Sequence, residues 1–189
     1  MLPTDVRYQY IYDEYEEKKK INRFLEQLKK DLESNFGIKS RVALSGQKKE
    51  GRYTIYLNTA YNNDSEKRVE LTCTFHMPEF YRLIEKGEMQ MNDRDLDILL
   101  YNRAELLWVK IEGLYTHPKG IGLGGFVVKE LIKFLRDIES IKAITLMPDG
   151  EEAKRFWLHM GFTYVDRKKW KDKCRLVDFD LNDTMAYEL

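Results

Sequence analysis

The chain is poor in the residues that hold small proteins together by crosslinks or metal ions. Its 189 residues include only two cysteines and three histidines. Cys73 and Cys174 are too few for a disulfide framework, so we expect a reducing compartment, with the cytoplasm as the default. Because His76, His117 and His159 lack the paired spacing typical of a metal site, we expect no bound metal.

Long apolar runs are also absent. None approaches the roughly 20 residues that a membrane-spanning helix requires, and the sequence becomes polar directly after Met1-Leu2-Pro3, with no apolar signal-peptide segment. Lys and Arg number 32, as do Asp and Glu, so net charge gives no reason to expect a nucleic-acid partner. We interpret the basic cluster Arg167–Arg175 as a solvated strand and turn. Neither a membrane nor a nucleic-acid partner is therefore expected.

The first half of the chain predicts a helix followed by strands. Apolar residues recur at three- and four-residue steps from Ile21 to Phe36, and Gly37 suits a left-handed helix end. The charged run Glu14–Lys20 either opens this helix, placed at Ile11–Phe36, or is its frayed lead-in. Neighbouring antiparallel strands are predicted at Ser40–Leu44, Arg52–Thr59 and Arg68–Phe75. Short helices are predicted at Pro78–Lys86 and from Asn92 through Leu99.

The second half alternates strands and helices. Strands are predicted at Leu106–Tyr115, Ile141–Met147, Phe162–Val165 and Leu176–Leu181. One helix carries the apolar stripe Val127, Val128, Leu131, Ile132 and Leu135, and a second runs through Asp149–Met160 and ends at Gly161. No repeat, low-complexity linker or domain boundary interrupts this order. It predicts one mixed α/β domain, 1–189, with a sheet covered by helices.

A glycine-rich turn, Lys119–Gly125, connects the strand ending near Tyr115 to the next helix. Its glycines let backbone amides point inward, and the following helix start has unpaired amides and a partial positive charge. These features together predict an anion site that suits a phosphate or pyrophosphate. A dinucleotide loop is disfavoured because Glu139 precedes the next strand instead of ending it. A P-loop is disfavoured because it needs Gly-Lys-Ser/Thr after the turn, whereas here Gly125 is followed by Phe126.

Two stretches of the sequence, Lys119-x-x-Gly122-x-Gly124 and Phe156-Trp157 with Gly161-Phe162, together resemble the GNAT N-acetyltransferase superfamily. Lys119-x-x-Gly122-x-Gly124, followed by an apolar helix, is similar to its coenzyme-A motif. The alternative register, from His117, would place Gly125 and Lys129 at apolar helix positions. Phe156-Trp157, three residues and then Gly161-Phe162 is similar to the end of the family's later helix. The resemblance covers about residues 104–181.

The resemblance implies a GNAT-like fold. We expect a central, mostly antiparallel twisted sheet of about six or seven strands flanked by helices, with a splayed strand pair at the acyl-CoA site. The chain would divide into an amino-terminal helical segment, 1–37, variable strands and helices, 38–103, and an acyl-CoA-binding core, 104–181. A homodimer would be compatible with the family.

The resemblance also implies a cosubstrate, acetyl-CoA or another acyl-CoA, and a primary amine of a small molecule or peptide as acceptor. The backbone of the strand end would pair with the pantetheine arm, and the glycine turn would hold the pyrophosphate. The predicted cofactor-binding residues are Leu114, Tyr115, Thr116, Lys119, Gly120, Ile121, Gly122, Leu123, Gly124, Gly125 and Phe156.

The candidate catalytic residues are Glu112 and Tyr115. By strand alternation, Trp108, Lys110, Glu112 and Leu114 would share one face, and a carboxylate there could take the proton of the acceptor amine. His117 is a second candidate base. The family often protonates the departing thiolate with a tyrosine, but Trp157 occupies that position, so Tyr115, Tyr164 or water are the candidates. Two alternatives remain open: an acyl-CoA-binding or regulatory protein without efficient catalysis, and an interaction protein working through its amino-terminal helix.

Overall fold

The computed structural model describes residues 4–47, 52–61, 64–76, 107–138, 141–165 and 184–189. The predicted helices at Pro78–Lys86 and Asn92–Leu99, the predicted strand Leu176–Leu181 and the basic cluster Arg167–Arg175 lie outside these residues.

The chain opens with a long helix, α1, from Thr4 to Phe36, which begins earlier than the sequence pattern predicted. In its second half the predicted apolar face is buried, with Ile21, Leu25, Leu28 and Leu32 at most 1% exposed. Burial of each such side chain contributes on the order of 2 kcal/mol. This face fixes α1 to the sheet.

Gly37 ends α1 as predicted. Its φ is 68°, in the left-handed region that side chains with a Cβ disfavour. The amide of Gly37 donates to the carbonyl of Glu33 at 3.0 Å, and that of Ile38 donates to the carbonyl of Leu32 at 3.1 Å. Ile38 is buried, so the turn closes the helix and directs the chain into the first strand.

Replacing Gly37 with Ala should lower the free energy of unfolding by about 1 kcal/mol, because Ala must adopt the left-handed conformation. Gly37→Asn is the control, since Asn tolerates this conformation better and should cost less. Urea denaturation of both variants measures the difference. An equal loss, or none, would contradict this account of the turn.

Within the described residues, seven strands form one mixed sheet in the order β1-β2-β3-β4-β5-β7-β6. All neighbouring pairs are antiparallel except β4 and β5, which are parallel. The strands are β1 Ser40–Gln47, β2 Arg52–Thr59, β3 Arg68–His76, β4 Leu107–His117, β5 Ile141–Leu146, β6 Thr163–Tyr164 and β7 Met185–Glu188. The predicted mixed α/β class and mostly antiparallel sheet are confirmed. Strand β7, between β5 and β6, was not predicted.

Two further helices, α2 at Leu123–Arg136 and α3 at Gly150–His159, follow β4 and β5. The predicted apolar stripe of α2, residues 127–135, is buried. Helices α1 and α2 contact each other through Phe24 and Phe134, whose rings stack with centroids 4.2 Å apart, and through Phe36 and Phe126 at 5.2 Å. The start of α2 is therefore held by the core that also holds α1.

Candidate active site

Strand β4 continues beyond the end of its parallel neighbour β5. Their pairing ends with Ile111 opposite Leu146, whereas β4 continues to His117 and stays paired with β3 as far as Arg68. Among the described strands, none follows the β5 side of β4 past Ile111. Strand β4 thus extends past the end of β5 in the middle of the sheet, at the place where a splayed strand pair was predicted.

A β-bulge places Glu112 at the mouth of this opening. Cys73 lies opposite Ile111 and Thr72 lies opposite Gly113, so Glu112 is the extra residue of β4. A bulge redirects a side chain away from simple alternation. The Glu112 carboxylate pairs with the Lys110 ammonium at 2.7 Å, with both side chains about one-third exposed.

The bulge corrects the predicted face of β4. Leu114 lies opposite the buried Leu71 and packs against the hydrophobic core, so it does not share a face with Lys110 as alternation predicted. The bulge shifts the register by one residue, and every later side chain changes sides. Leu114 is therefore placed to line the inner side of the opening.

Cys73, behind the bulge, is unsuited to nucleophilic chemistry. Its side chain is buried, and burial, with a smaller contribution from the charge of Glu112, raises the pKa of the thiol far above its usual value. Because the thiolate is the reactive form, Cys73 acts here as a small apolar residue of the core.

The glycine turn brings the end of β4 to the start of α2. Gly120 and Gly122 have φ values of 82° and 80°, and an added Cβ at either position would meet no atom within 4 Å. The glycines are thus required by backbone conformation and not by crowding. Gly122 is also the residue that caps α2.

The amino terminus of α2 has no side chain among the described residues that hydrogen-bonds to its first amides. No side chain caps it and its first turn has no acidic residue, whereas the first turn of α3 contains Glu151 and Glu152. The first amides of a helix have no acceptor within the helix, and they carry a partial positive charge. At α2 this charge can act on an external anion. Leu123 is buried, so only its backbone is suited to such contact.

Close packing fixes α2 against α3 at this point. A Cβ on Gly124 would lie 3.4 Å from Cζ of Phe156 and 3.6 Å from Oγ1 of Thr116, and one on Gly125 would lie 3.7 Å from Sδ of Met160. The predicted site residues Thr116, Gly124 and Phe156 are therefore brought together. Ile121, at the outside of the turn, is 39% exposed.

Lys119 reaches from the turn to α3. Its ammonium donates to the Glu152 carboxylate at 2.6 Å, and the two side chains are 72% and 69% exposed. The hydrogen bond and the charge of Lys119 hold the pKa of Glu152 below its usual value. The lysine predicted to lie near a phosphate thus has an anionic partner within the protein.

A cleft of about 370 Å³ lies beside the end of the β4–β5 pairing. It contains apolar and carboxylate side chains from both strands, from β3 and from α3. The lining residues are Glu70, Thr72, Ile111, Glu112, Gly113, Leu114, Tyr115, Leu146, Met147, Asp149, Ala153 and Trp157.

Most of the predicted site residues fall into two groups. Glu112, Leu114 and Tyr115 line the cleft, whereas Lys119 and residues 120–125 form the turn and the start of α2. Sequence reasoning missed Glu70, which lies opposite Tyr115 in the β3–β4 register. It also missed Asp149. No nearby sequence pattern indicated either residue. The pairing of β3 with β4 brings Glu70 to the cleft, and Asp149 follows the end of β5.

The candidate proton donors differ in solvent exposure and in whether they line the cleft. Tyr115 is 53% exposed and lines the cleft, whereas Tyr164, 47% exposed, lies on β6. Trp157 is 6% exposed, with its ring centroid 4.9 Å from that of Phe156 and 5.0 Å from that of Phe162. Trp157 thus packs as a wall of the cleft, and its indole has no acidic proton to give.

Neither a metal-binding cluster nor a membrane-spanning helix is present in the described ranges. Among these residues, no group of three or more His, Cys, Asp or Glu is arranged to hold a metal ion. Within the same ranges, no helix combines the length and the apolar character needed to cross a bilayer.

Comparison with known proteins yields a distant structural similarity. No protein-family model matches the chain, and neither does any curated protein. Among solved structures, a crystal structure of a tyrosine-to-phenylalanine mutant of KacT matches 89% of this chain and 81% of that chain, with 14% sequence identity and a TM-score of 0.40. A similarity of this size does not establish a shared fold. Function must therefore be inferred from the geometry of the cleft and the turn.

Proposed function

We propose that the protein is a GNAT-type N-acyltransferase that transfers an acetyl group from acetyl-CoA to a primary amine of a small molecule or peptide. The observation that carries this proposal is the continuity of the site. The part of β4 that extends past β5 lines a cleft and then leads directly into the turn at Lys119–Gly125 and the start of α2, which no described side chain caps. The acylated pantetheine arm of acyl-CoA would fit the cleft and the edge of β4, and the pyrophosphate that follows it would fit the turn and the start of α2.

The anionic part of acetyl-CoA would lie at the turn. Backbone amides from Gly120 to Gly125, at the positive end of α2, suit a pyrophosphate. The pantetheine arm carries amides, and the edge of β4 at Leu114–Thr116 offers backbone partners for them, as an added strand would. The thioester would then lie in the cleft, close to the bulge at Glu112.

The chemistry requires the removal of one proton and the supply of another. An amine arrives largely as an ammonium ion and must be deprotonated before it attacks the thioester carbon. Glu112 lies in the cleft and is our candidate for this base. A backbone amide of β4 would stabilise the oxyanion that forms. When the carbon–sulfur bond breaks, Tyr115 is the candidate that returns a proton to the thiolate.

The carboxylates of the cleft are compatible with a cationic acceptor. Glu70 and Asp149 line the same cleft as Glu112, and none of the described residues that line it is Lys, Arg or His. The Lys110 ammonium pairs with Glu112, so Glu70 and Asp149 are the carboxylates that set the charge. A cleft of this charge attracts an ammonium and repels a free carboxylate. Amines without a neighbouring carboxylate are therefore the acceptors to be tested first.

Two measurements on the full chain test the proposal. Calorimetric titration with acetyl-CoA should give saturable binding, and a panel of primary amines should include one that releases free thiol from acetyl-CoA above the rate of hydrolysis. A folded protein that binds no acetyl-CoA would refute the proposal.

A second candidate function is acyl-CoA binding without efficient turnover. The observation that favours it is the burial of Trp157 at the position where the family resemblance places a tyrosine acid. The same titration and amine panel separate the two functions. Binding without thiol release from any amine would favour the second, whereas turnover would exclude it.

A further inference from the structure

The ion pair between Lys119 and Glu152 connects two elements that meet at the proposed donor site. Lys119 belongs to the glycine turn, and Glu152 belongs to the first turn of α3. Their 2.6 Å contact joins residues 33 positions apart in the chain. The lysine of the anion site therefore has a carboxylate bound to it before any ligand arrives.

The neighbouring carboxylate provides an internal comparison. Glu151 also lies in the first turn of α3, but it pairs within its own helix, with Lys154 at 2.8 Å. In each case the hydrogen bond from the lysine holds the pKa of the carboxyl below its usual value, so both are anions at neutral pH. Only the Glu152 pair reaches the glycine turn.

The position of Glu152 lets it compete with a bound anion. Asp149 and Ala153, on either side of it in the chain, line the cleft. The pair itself is largely exposed, with side chains 72% and 69% accessible, and exposed ion pairs are weak and easily screened. A doubly charged pyrophosphate at the turn can therefore draw the ammonium away from the carboxylate.

We infer that Glu152 is an internal competitor for the donor site: it occupies Lys119 in the empty protein and must release it when the pyrophosphate of acyl-CoA binds. This inference rests on the proposed function. Its consequence is a lower affinity for both acyl-CoA and free CoA, which favours departure of the product. Glu152 is thus a residue that sets affinity and exchange, and it has no role in the bond-making step.

Titration of acetyl-CoA into Glu152→Gln and Glu151→Gln tests the inference at low ionic strength. The two variants remove the same charge from adjacent, largely exposed positions, with side chains 79% exposed at Glu151 and 69% at Glu152. Glu152→Gln should tighten binding about two- to fivefold relative to Glu151→Gln, which is the effect that an exposed pair can exert. The difference should shrink as salt is added.

A double-mutant cycle with Lys119→Met identifies the cause. In that background Glu152→Gln should have the same effect as Glu151→Gln, because no ammonium remains to be released. Equal effects in the native background would overturn the inference while leaving the proposed function intact. Weaker binding by Glu152→Gln would also overturn it, since Glu152 would then be positioning the lysine. Absence of binding by the native protein would refute the proposed function itself.

Discussion

Gly122→Asp is expected to weaken acetyl-CoA binding about a hundredfold, whereas Gly122→Asn should weaken it far less. The added carboxylate would lie at the start of α2, where the proposal places the pyrophosphate. Two like charges about 5–6 Å apart near a protein surface repel by about 3 kcal/mol, which corresponds to roughly a hundredfold in affinity.

Gly122→Asn is the matched control for backbone and size. Gly122 has a φ of 80°, a conformation that Asp and Asn both tolerate better than other residues with a Cβ. Because Asp is also a good helix cap, the Asp variant should unfold at a temperature no lower than the Asn variant. Calorimetric titration measures both affinities. Equal affinities would mean that no anion binds at this helix start.

Glu112→Gln is expected to lower kcat by about a hundredfold to ten-thousandfold, the usual contribution of a general base. Its affinity for acetyl-CoA should stay near that of the native protein, since Gln keeps the size of the side chain and the bulge is a property of the backbone. Thiol release at saturating acetyl-CoA, with an acceptor identified by the amine panel, gives kcat. Titration gives the affinity.

Glu70→Gln is the control for the loss of one carboxylate from the cleft. Glu70 lines the same space but lies on β3, opposite Tyr115. It should chiefly raise KM for a cationic acceptor, whereas Glu112→Gln should remove the rise of kcat/KM with pH that deprotonation of a base produces. A pH–rate profile unchanged by Glu112→Gln would show that another group, with His117 as the next candidate, accepts the proton.

The parts of the fold that could be predicted are those set by local pattern. The apolar stripe of α2, residues 127–135, predicted a buried face because helical periodicity alone brings these side chains together. Gly37 and Gly161 predicted helix ends for a similar reason, and both adopt positive φ, 68° and 89°. Strand β2 was bounded correctly at Arg52–Thr59, since its alternation lies between two polar turns.

The parts that were missed depend on partners distant in the chain. Strand β7 has only four residues, Met185–Glu188, and becomes a strand because β5 and β6 pair with it on either side. The bulge at Glu112 exists only in the register with β3, so alternation within β4 placed Leu114 on the wrong face. Lys119 could be predicted to lie in an anion-binding turn, but nothing near it in sequence indicated Glu152 as its partner.

The stack of Phe24 on Phe134 bears on how this protein could be shortened or recombined. The predicted segments meet at residues 37 and 103, but α1 shares its hydrophobic cluster with α2, the helix whose first turn is proposed to bind the pyrophosphate. A shortened chain that begins after Phe36 would expose the side of α2 that contacts α1. It would also remove four buried side chains from the core: Ile21, Leu25, Leu28 and Leu32. A chimaera made from two related chains would therefore have to take α1 and α2 from the same parent, although the two helices are far apart in the sequence.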